Sequence, residues 1–362
     1  MSNWRIHMLA LIDIIDYTLG SLNEYTRSSI HKIANMLIED GIATQKNNEE
    51  NKLFIGNLSR LESIEYCLRN NQITLKCIEK WEFDKNYKYS MLFDIDNITN
   101  QMFQGCINLK QIIPYNTLTN FEELYSVAHN PSFLQQKDKY LLKFNLGLES
   151  TDFSGNKLKR RYTILAIFYS IEKVLELRFD SLGDVFVSNY IRYVYEVLEW
   201  IRKFLNISIK ACNLKDIVDH IKVNGEKNGV VLSGQDMLMA TGGKATIEVG
   251  KNDKMILPFI GELKILMENY KEEFEQVPVL KQAFQDFIFE KENLSEFPWV
   301  RFKFKENNFE VKFIFDYGQE RGCLLHHFSS SLKANQGRGR MDYVTNYIIR
   351  VRNIINKLPI DQ

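Results

Sequence analysis

The chain has 362 residues, of which 45% are hydrophobic, and its 46 Lys and Arg residues balance 46 Asp and Glu residues. This composition excludes a disordered or collagen-like chain, and the lack of a run of about 18 apolar residues predicts no membrane-spanning helix. The start of the chain lacks the pattern of a secretory signal peptide, so we expect a cytoplasmic protein. Five scattered cysteines without a Cys-x-x-Cys pair predict buried thiols, no disulfide framework and no metal site.

The order of sequence patterns predicts an α+β protein of two or three domains. We divide the chain by these patterns into four segments. These are a winged-helix-like domain over residues 1–60, a mixed α/β segment over residues 61–158, a helical segment over residues 159–222, and an α+β domain with hairpins and a basic C-terminal helix over residues 223–362.

Residues 1–60 are predicted to form three helices and a hairpin. The first helix runs from Ile6 to Tyr17, and a short second one from Leu19 to Tyr25 follows a break near Gly20. A third helix follows Thr26, whose hydroxyl is a good N-cap. Short β-like segments on either side of the polar loop at residues 45–52 predict a wing, and this loop carries two lysines, Lys46 and Lys52.

The third helix resembles the recognition helix of winged helix-turn-helix DNA-binding proteins. The match consists of Thr26-Arg27-Ser28, a helix with paired apolar residues, and Asp40-Gly41-Ile42. The resemblance implies contacts to phosphates or base edges of duplex DNA. The side chains in question are Arg27, Ser28, His31 and Lys32. Residues 1–60 nevertheless carry six basic and seven acidic residues, and winged helices also bind proteins, so both partners stay open.

The middle of the chain mixes both periodicities. Residues 61–158 predict helices at Leu61 to Leu68 and Phe121 to His129, and strands at Ile73 to Ile78, Tyr87 to Phe93 and Tyr140 to Leu148. In residues 159–222, apolar residues three or four apart predict helices. These comprise a segment containing Leu165 to Leu175, a long amphipathic helix from Val187 to Leu205, and a shorter one capped by Asn213.

The C-terminal segment combines hairpins and helices. Predicted hairpins cover Thr246 to Leu257 and Trp299 to Phe315, and predicted helices cover Ile260 to Phe274, Val279 to Glu290, Gln319 to Ser331 and Met341 to Leu358. Residues 255–297 have a net charge of minus five, and residues 299–362 one of plus five. The basic end predicts a phosphate-binding surface, unless it pairs with the acidic helices. Its candidate residues are Arg338, Arg340, Arg350 and Arg352.

One short motif suggests catalysis. Arg321 precedes His326 and His327 in a predicted helix and resembles the Arg-x4-6-His motif of HEPN ribonucleases. That resemblance implies a metal-independent ribonuclease, in which the histidine moves protons and the arginine stabilises the phosphoryl transition state across a dimer. The alternative is a pair of histidines that satisfy local hydrogen bonds.

The leading hypothesis from sequence is a non-enzymatic, DNA-associated regulatory or complex subunit without a cofactor. It would bind duplex DNA through the N-terminal winged helix. Two alternatives remain: the ribonuclease-type effector, and a protein-interaction subunit that binds a partner or a second copy of itself. The abundance of Asn, Ile, Lys and Phe is typical of AT-rich coding, as in many bacteria.

Overall fold

A computed structural model describes residues 11–47, 49–115, 130–152, 154–183, 186, 190–238, 244–248, 260–293, 297–306, 308–319, 321–329 and 338–357. The chain is α+β, as predicted, and folds into two compact units. Unit 1 contains residues 1–210 and 335–339, and unit 2 contains residues 211–334 and 340–362. None of the predicted segment boundaries coincides with this division. No helix in the described part of the chain is long and apolar enough to cross a membrane.

Unit 1 begins with four helices around one apolar core. Their bounds, with those of two short strands, are α1 Leu11–Leu22, α2 Arg27–Glu39, β1 Ala43–Thr44, β2 Leu53–Phe54, α3 Arg60–Asn70 and α4 Ile73–Asp84. The core takes residues from all four helices, including Ile14, Ile33, Ile64 and Ile78. Helix α2 therefore shares its core with α3 and α4, which extend the N-terminal helical bundle beyond the predicted domain of residues 1–60 to Asp84.

A mixed sheet forms the rest of unit 1. Its strands and helices are β3 Tyr89–Ile95, α5 Asn100–Asn108, β4 Ile113–Pro114, β5 Ser132–Gln136, β6 Lys139–Thr151, β7 Lys157–Tyr169, β8 Val174–Phe179 and α6 Tyr190–Leu205, followed by β9 Ile209–Ala211. The strand order is β3–β8–β7–β6–β5–β4, and every pairing is antiparallel except that of β4 with β5. The predicted helix α3, strands β3 and β6, and helix α6 are confirmed.

Two predictions in unit 1 are wrong because burial on both sides obscures periodicity. Ile73 to Ile78 begins helix α4 rather than a strand. The segment from Leu165 to Leu175 belongs to strands β7 and β8 rather than to a helix. Nine consecutive residues of β7, 161–169, are buried, so apolar residues fill every position and a helical spacing can be picked out by chance. The predicted helix at 121–129 lies outside the described residues.

The predicted break at Gly20 is also absent, because α1 continues through it to Leu22. A Cβ atom at Gly20 would overlap the backbone carbonyl oxygen of Lys159 in β7. The glycine therefore allows α1 to lie directly on the sheet. There Ser21 Oγ donates a hydrogen bond to the carbonyl oxygen of Arg161 over 2.9 Å.

We expect Gly20→Ala to lower the free energy of unfolding by about 1–3 kcal/mol, because the added methyl group separates helix and strand. Gly105→Ala in α5 is the matched control, since a Cβ there meets nothing within 4 Å. That control should be stabilised by about 0.5–1 kcal/mol through helix propensity. Urea unfolding of both variants measures the effects, and equal behaviour would contradict the close-approach explanation.

Unit 2 contains an antiparallel sheet and several helices. The elements are α7 Lys215–Asn224, a 3-10 helix Gly225–Asn228, β10 Val230–Leu238, β11 Lys244–Glu248, α8 Ile260–Asn269, α9 Lys271–Gln276, α10 Pro278–Asn293, β12 Trp299–Phe304, β13 Phe309–Tyr317, β14 Gly322–Ser329 and α11 Gly339–Ile355. The strand order is β11–β10–β12–β13–β14. The hairpin β12–β13 and the last helix are confirmed.

Other predictions in unit 2 differ from the structure. The predicted helix from Gln319 to Ser331 is replaced by strand β14, which pairs with β13. Strand β11 pairs with β10, a strand that the sequence analysis missed, and residues 249–259 of the predicted hairpin lie outside the described residues. Asn213 is predicted to cap helix α7, but the observed N-cap residue is Leu214 and the helix begins at Lys215. Asn213 Oδ1 nevertheless accepts a hydrogen bond from the Lys215 amide over 3.1 Å.

Candidate functional site

Helix α2 displays the side chains that the sequence analysis selected for DNA contact. Thr26 caps the helix, as predicted, and its hydroxyl accepts a hydrogen bond from the Ser29 amide over 3.2 Å. One face of the helix is buried by Ile30, Ile33 and Leu37. The cap and the apolar spacing together fix which side of α2 faces outward.

The outward side of the first two turns is polar and basic. Arg27, Ser28 and His31 are exposed, and Lys32 is half-buried. Residues four apart lie on the same side of a helix, so Arg27 stands beside His31 and Ser28 beside Lys32. The positive end of the helix dipole adds to this charge. The structure thus brings the four predicted side chains of α2 together on one surface.

The start of α2 is held on α4 by aromatic and charged contacts. The Tyr25 ring lies 5.0 Å from the Trp81 ring, and its hydroxyl donates a hydrogen bond to Glu82 Oε1 over 3.2 Å. The Lys85 ammonium lies within 5.3 Å of both rings and 4.5 Å from the Tyr87 ring. These contacts therefore hold Tyr25, two residues before α2, against the C-terminal end of α4.

The predicted wing differs from the structure. Strands β1 and β2 pair in parallel, so residues 45–52 connect them as a crossover loop rather than as an antiparallel hairpin. Lys46 and Lys52 are exposed in this loop, and Lys52 Nζ lies 2.8 Å from Glu49 Oε2. The predicted short helix from Leu19 is also absent as a separate element, because α1 is continuous to Leu22. The resemblance to winged helices is therefore carried by α2 alone.

The four C-terminal arginines do not form one exposed basic surface. Arg338 donates hydrogen bonds to the Phe83 carbonyl oxygen over 3.4 Å and to Gln136 Oε1 over 2.6 Å. Arg340 is buried in unit 2, with its guanidinium 5.8 Å from the Phe309 ring, and this burial lowers its pKa. Arg350 is exposed and Arg352 is half-buried on α11. Of the four arginines predicted to bind phosphate, Arg350 is thus the exposed one, Arg338 and Arg352 are half-buried, and Arg340 is buried.

The proposed ribonuclease motif lies on a strand. Arg321 sits in the turn before β14 with a φ of 48°, and His326 follows five residues later on the strand. Five extended residues span about 16 Å, whereas the motif requires both side chains on neighbouring faces of a helix. His326 and His327 point to opposite faces of the sheet, and His327 is buried. The structural basis for comparing these residues with HEPN ribonucleases is therefore lost.

The sequence analysis missed a cluster of buried charges between α4 and the sheet of unit 1. Lys143 Nζ on β6 lies 2.5 Å from Glu79 Oε2 and 2.7 Å from Glu82 Oε2. Arg161 Nη2 on β7 lies 2.5 Å from Glu82 Oε1. These four side chains are at most 4% exposed. We refer to Glu79, Glu82, Lys143 and Arg161 as the charge cluster.

The charge cluster is balanced, with two acids and two bases. Burial by itself would raise the pKa of Glu82, but Arg161, Lys143 and Lys85 lower it to about 2. The Ser132 hydroxyl donates a further hydrogen bond to Glu79 Oε1 over 2.6 Å. Because each charge in the cluster lies beside one of opposite sign, the cluster links α4 to strands β6 and β7 of the sheet. Within the described ranges, no group of three or more His, Cys, Asp and Glu side chains is arranged to hold a metal ion.

All five cysteines are buried free thiols, as predicted. No protein-family model matches the chain, and no curated protein matches it significantly.

Proposed function

We propose that the protein is a non-catalytic DNA-associated subunit that binds duplex DNA through the first two turns of α2. The observation that carries this proposal is the shared outward face of Arg27, Ser28, His31 and Lys32 on a capped helix. Arginine and lysine reach phosphates and guanine edges, and serine and histidine add hydrogen bonds.

The shape of α2 supports binding in the major groove. The helix has 13 residues and is therefore about 20 Å long. Its basic residues occupy the N-terminal half, whereas Glu39 and Asp40 lie at the other end. A helix that enters the groove with its N-terminal end keeps these carboxylates away from the phosphates. The Tyr25 and Lys85 contacts hold that end in place, which limits the entropy lost on binding.

Replacing both Arg27 and Lys32 by alanine should weaken binding to random duplex DNA several-fold. The variant makes up to two fewer contacts with phosphates, so its binding releases fewer counterions. The slope of log affinity against log salt concentration should therefore flatten by about one to two. Fluorescence anisotropy of a labelled duplex over a range of salt concentrations measures both quantities.

The matched control replaces Arg69 and Lys210, two exposed cations elsewhere in unit 1, by alanine. It removes the same charge but leaves α2 unchanged, so affinity and salt slope should stay close to those of the parent. If both double variants lose affinity equally, binding follows overall charge and the role of α2 is refuted. An unchanged affinity of the α2 variant would refute it as well.

A further inference from the structure

Helix α2 presents one further polar side chain beside the residues assigned to DNA contact. Asn35 lies in the middle of the helix, four residues after His31 and three after Lys32, and it is half-buried. A helix turns by about 100° per residue, so Asn35 lies within about 30° of the direction opposite the buried face of α2. It therefore belongs to the same outward surface as His31 and Lys32.

The polar side chains of this surface are available to a partner. Among the residues that the structure describes, Arg27, His31, Lys32 and Asn35 form no hydrogen bond or ion pair through their side chains. Asparagine favours the ends of helices over their centres, because its amide competes for backbone groups. The Asn35 amide caps nothing in α2, and a polar group kept where local structure does not favour it is typical of a binding residue.

The carboxylates around α2 leave its positive charge in place. Glu24 Oε1, before the helix, lies 2.7 Å from Arg160 Nη2, and Asp40 Oδ1, after the helix, lies 3.4 Å from Lys80 Nζ. Glu39 is exposed in the last turn, at the far end from the basic residues. The charge of the first two turns therefore matches the phosphates of a nucleic acid.

Arg27, His31 and Asn35 form one ridge of α2, because residues four apart follow one another along the surface of a helix. Eight residues separate the two ends of the ridge, which lie about 12 Å apart along the helix axis. Successive base pairs are spaced by about 3.4 Å, so this length corresponds to about three to four base pairs. A helix that lies along the major groove thus brings Arg27 and Asn35 to different base pairs.

The two ends of the ridge differ in their hydrogen-bonding chemistry. The Arg27 guanidinium carries donors only, whereas the Asn35 amide carries one donor group and one acceptor. In the major groove, guanine presents two acceptors side by side, and adenine presents an acceptor beside a donor. Arg27 is therefore complementary to guanine, and Asn35 to adenine.

We propose that α2 reads sequence, with Arg27 on a guanine and Asn35 on an adenine about three to four base pairs away. The inference rests on the proposed function and narrows its partner from any duplex to a specific site. His31 faces the base pairs between these two, and Lys32, on the neighbouring ridge, contacts phosphate. The major groove of duplex RNA is too deep and narrow for a helix, so the partner is DNA.

Selection from a duplex pool with a randomised central segment, followed by sequencing, tests the inference on the full chain. The parent should enrich sites that contain a guanine and an adenine at this spacing. Asn35→Ala should lose the preference for adenine and keep that for guanine, and Arg27→Ala should show the reverse. The first change should not disturb folding, because alanine favours a helix more than asparagine does.

Fluorescence anisotropy with the selected duplex gives the size of the effect. Asn35→Ala should lower affinity for that duplex by about 5- to 100-fold. Its affinity for random duplex and its salt slope should not change, since the amide carries no charge. Asn346→Ala is the matched control, because it makes the same change at an exposed position in the middle of α11 and should leave both affinities unchanged.

The possible failures are distinguishable. If the pool yields no preferred sequence while Arg27→Ala still weakens binding, the surface recognises charge alone, and the inference falls although the proposed function stands. A preference for adenine that survives in Asn35→Ala overturns the role of Asn35 in the same way. A parent that binds no duplex at low salt refutes the proposed function and the inference together.

Discussion

Replacing Lys143 by methionine is expected to lower the free energy of unfolding of unit 1 by about 3–5 kcal/mol. The Lys143 side chain is fully buried, and its ammonium group lies within 2.7 Å of carboxylate oxygens of both Glu79 and Glu82. Methionine fills nearly the same volume without a charge. The two carboxylates are then left with Arg161 as their one cationic partner in the charge cluster, and one buried negative charge is uncompensated.

A double-mutant cycle distinguishes lost charge balance from lost packing. Adding Glu79→Gln to Lys143→Met restores equal numbers of acids and bases, because Glu82 keeps its pairing with Arg161 at 2.5 Å. The glutamine oxygen can still accept the hydrogen bond from Ser132. The double variant should therefore recover about 1–3 kcal/mol relative to the sum of the single effects.

Urea unfolding combined with hydrogen exchange of α4 and β6 measures these effects, since exchange reports on unit 1 separately from unit 2. A single variant as stable as the parent would show that the charge cluster does not hold α4 on the sheet. Strictly additive single effects would show that charge balance is not the cause.

Local patterns in the sequence predicted α2 correctly because its determinants are local. The Thr26 cap and the spacing of Ile30, Ile33 and Leu37 lie within one helix, and the exposed position of Arg27 and His31 follows from them. Predictions failed where the determinants lie far apart in the chain. Lys143 and Arg161 are separated from Glu82 by 61 and 79 residues, and charged residues are by default expected in solvent.

Strand β14 and the parallel β1–β2 pair illustrate a second limit of prediction from sequence, which is that a strand depends on the partner strand it pairs with. Residues 322–329 form a strand because β13 supplies the hydrogen-bonding partner, and this partner sets the positions of His326 and His327. A short motif carries no information on such pairing, so the helical spacing assumed for Arg321 and His326 was wrong. The weak signal that was available is the apolar run Cys323-Leu324-Leu325 directly after a glycine, which favours a strand.

Acidification is expected to destabilise unit 1 through Glu82. In the folded protein the pKa of Glu82 is lowered from 4.5 to about 2, mainly because Arg161 and Lys143 outweigh the opposing effect of burial. The folded state therefore binds this proton less readily than the unfolded state. The resulting stabilisation is fully present above about pH 4.5 and is lost as the pH falls towards about 2. The difference corresponds to about 3 kcal/mol.

Glu82→Gln tests this directly, because its effect should depend on pH in a way that a packing defect does not. The variant should be less stable than the parent at neutral pH, and the gap should close between about pH 5 and about pH 2 as the parent carboxylate becomes protonated. Glu50→Gln is the matched control, since it removes the same charge from an exposed carboxylate in the loop between β1 and β2. Its stability profile should stay nearly parallel to that of the parent, because solvent screens exposed charges. If the gap between Glu82→Gln and the parent is constant over this range, Glu82 binds its proton equally well in the folded and the unfolded protein, and its pairing with Lys143 and Arg161 does not stabilise unit 1 in the way inferred.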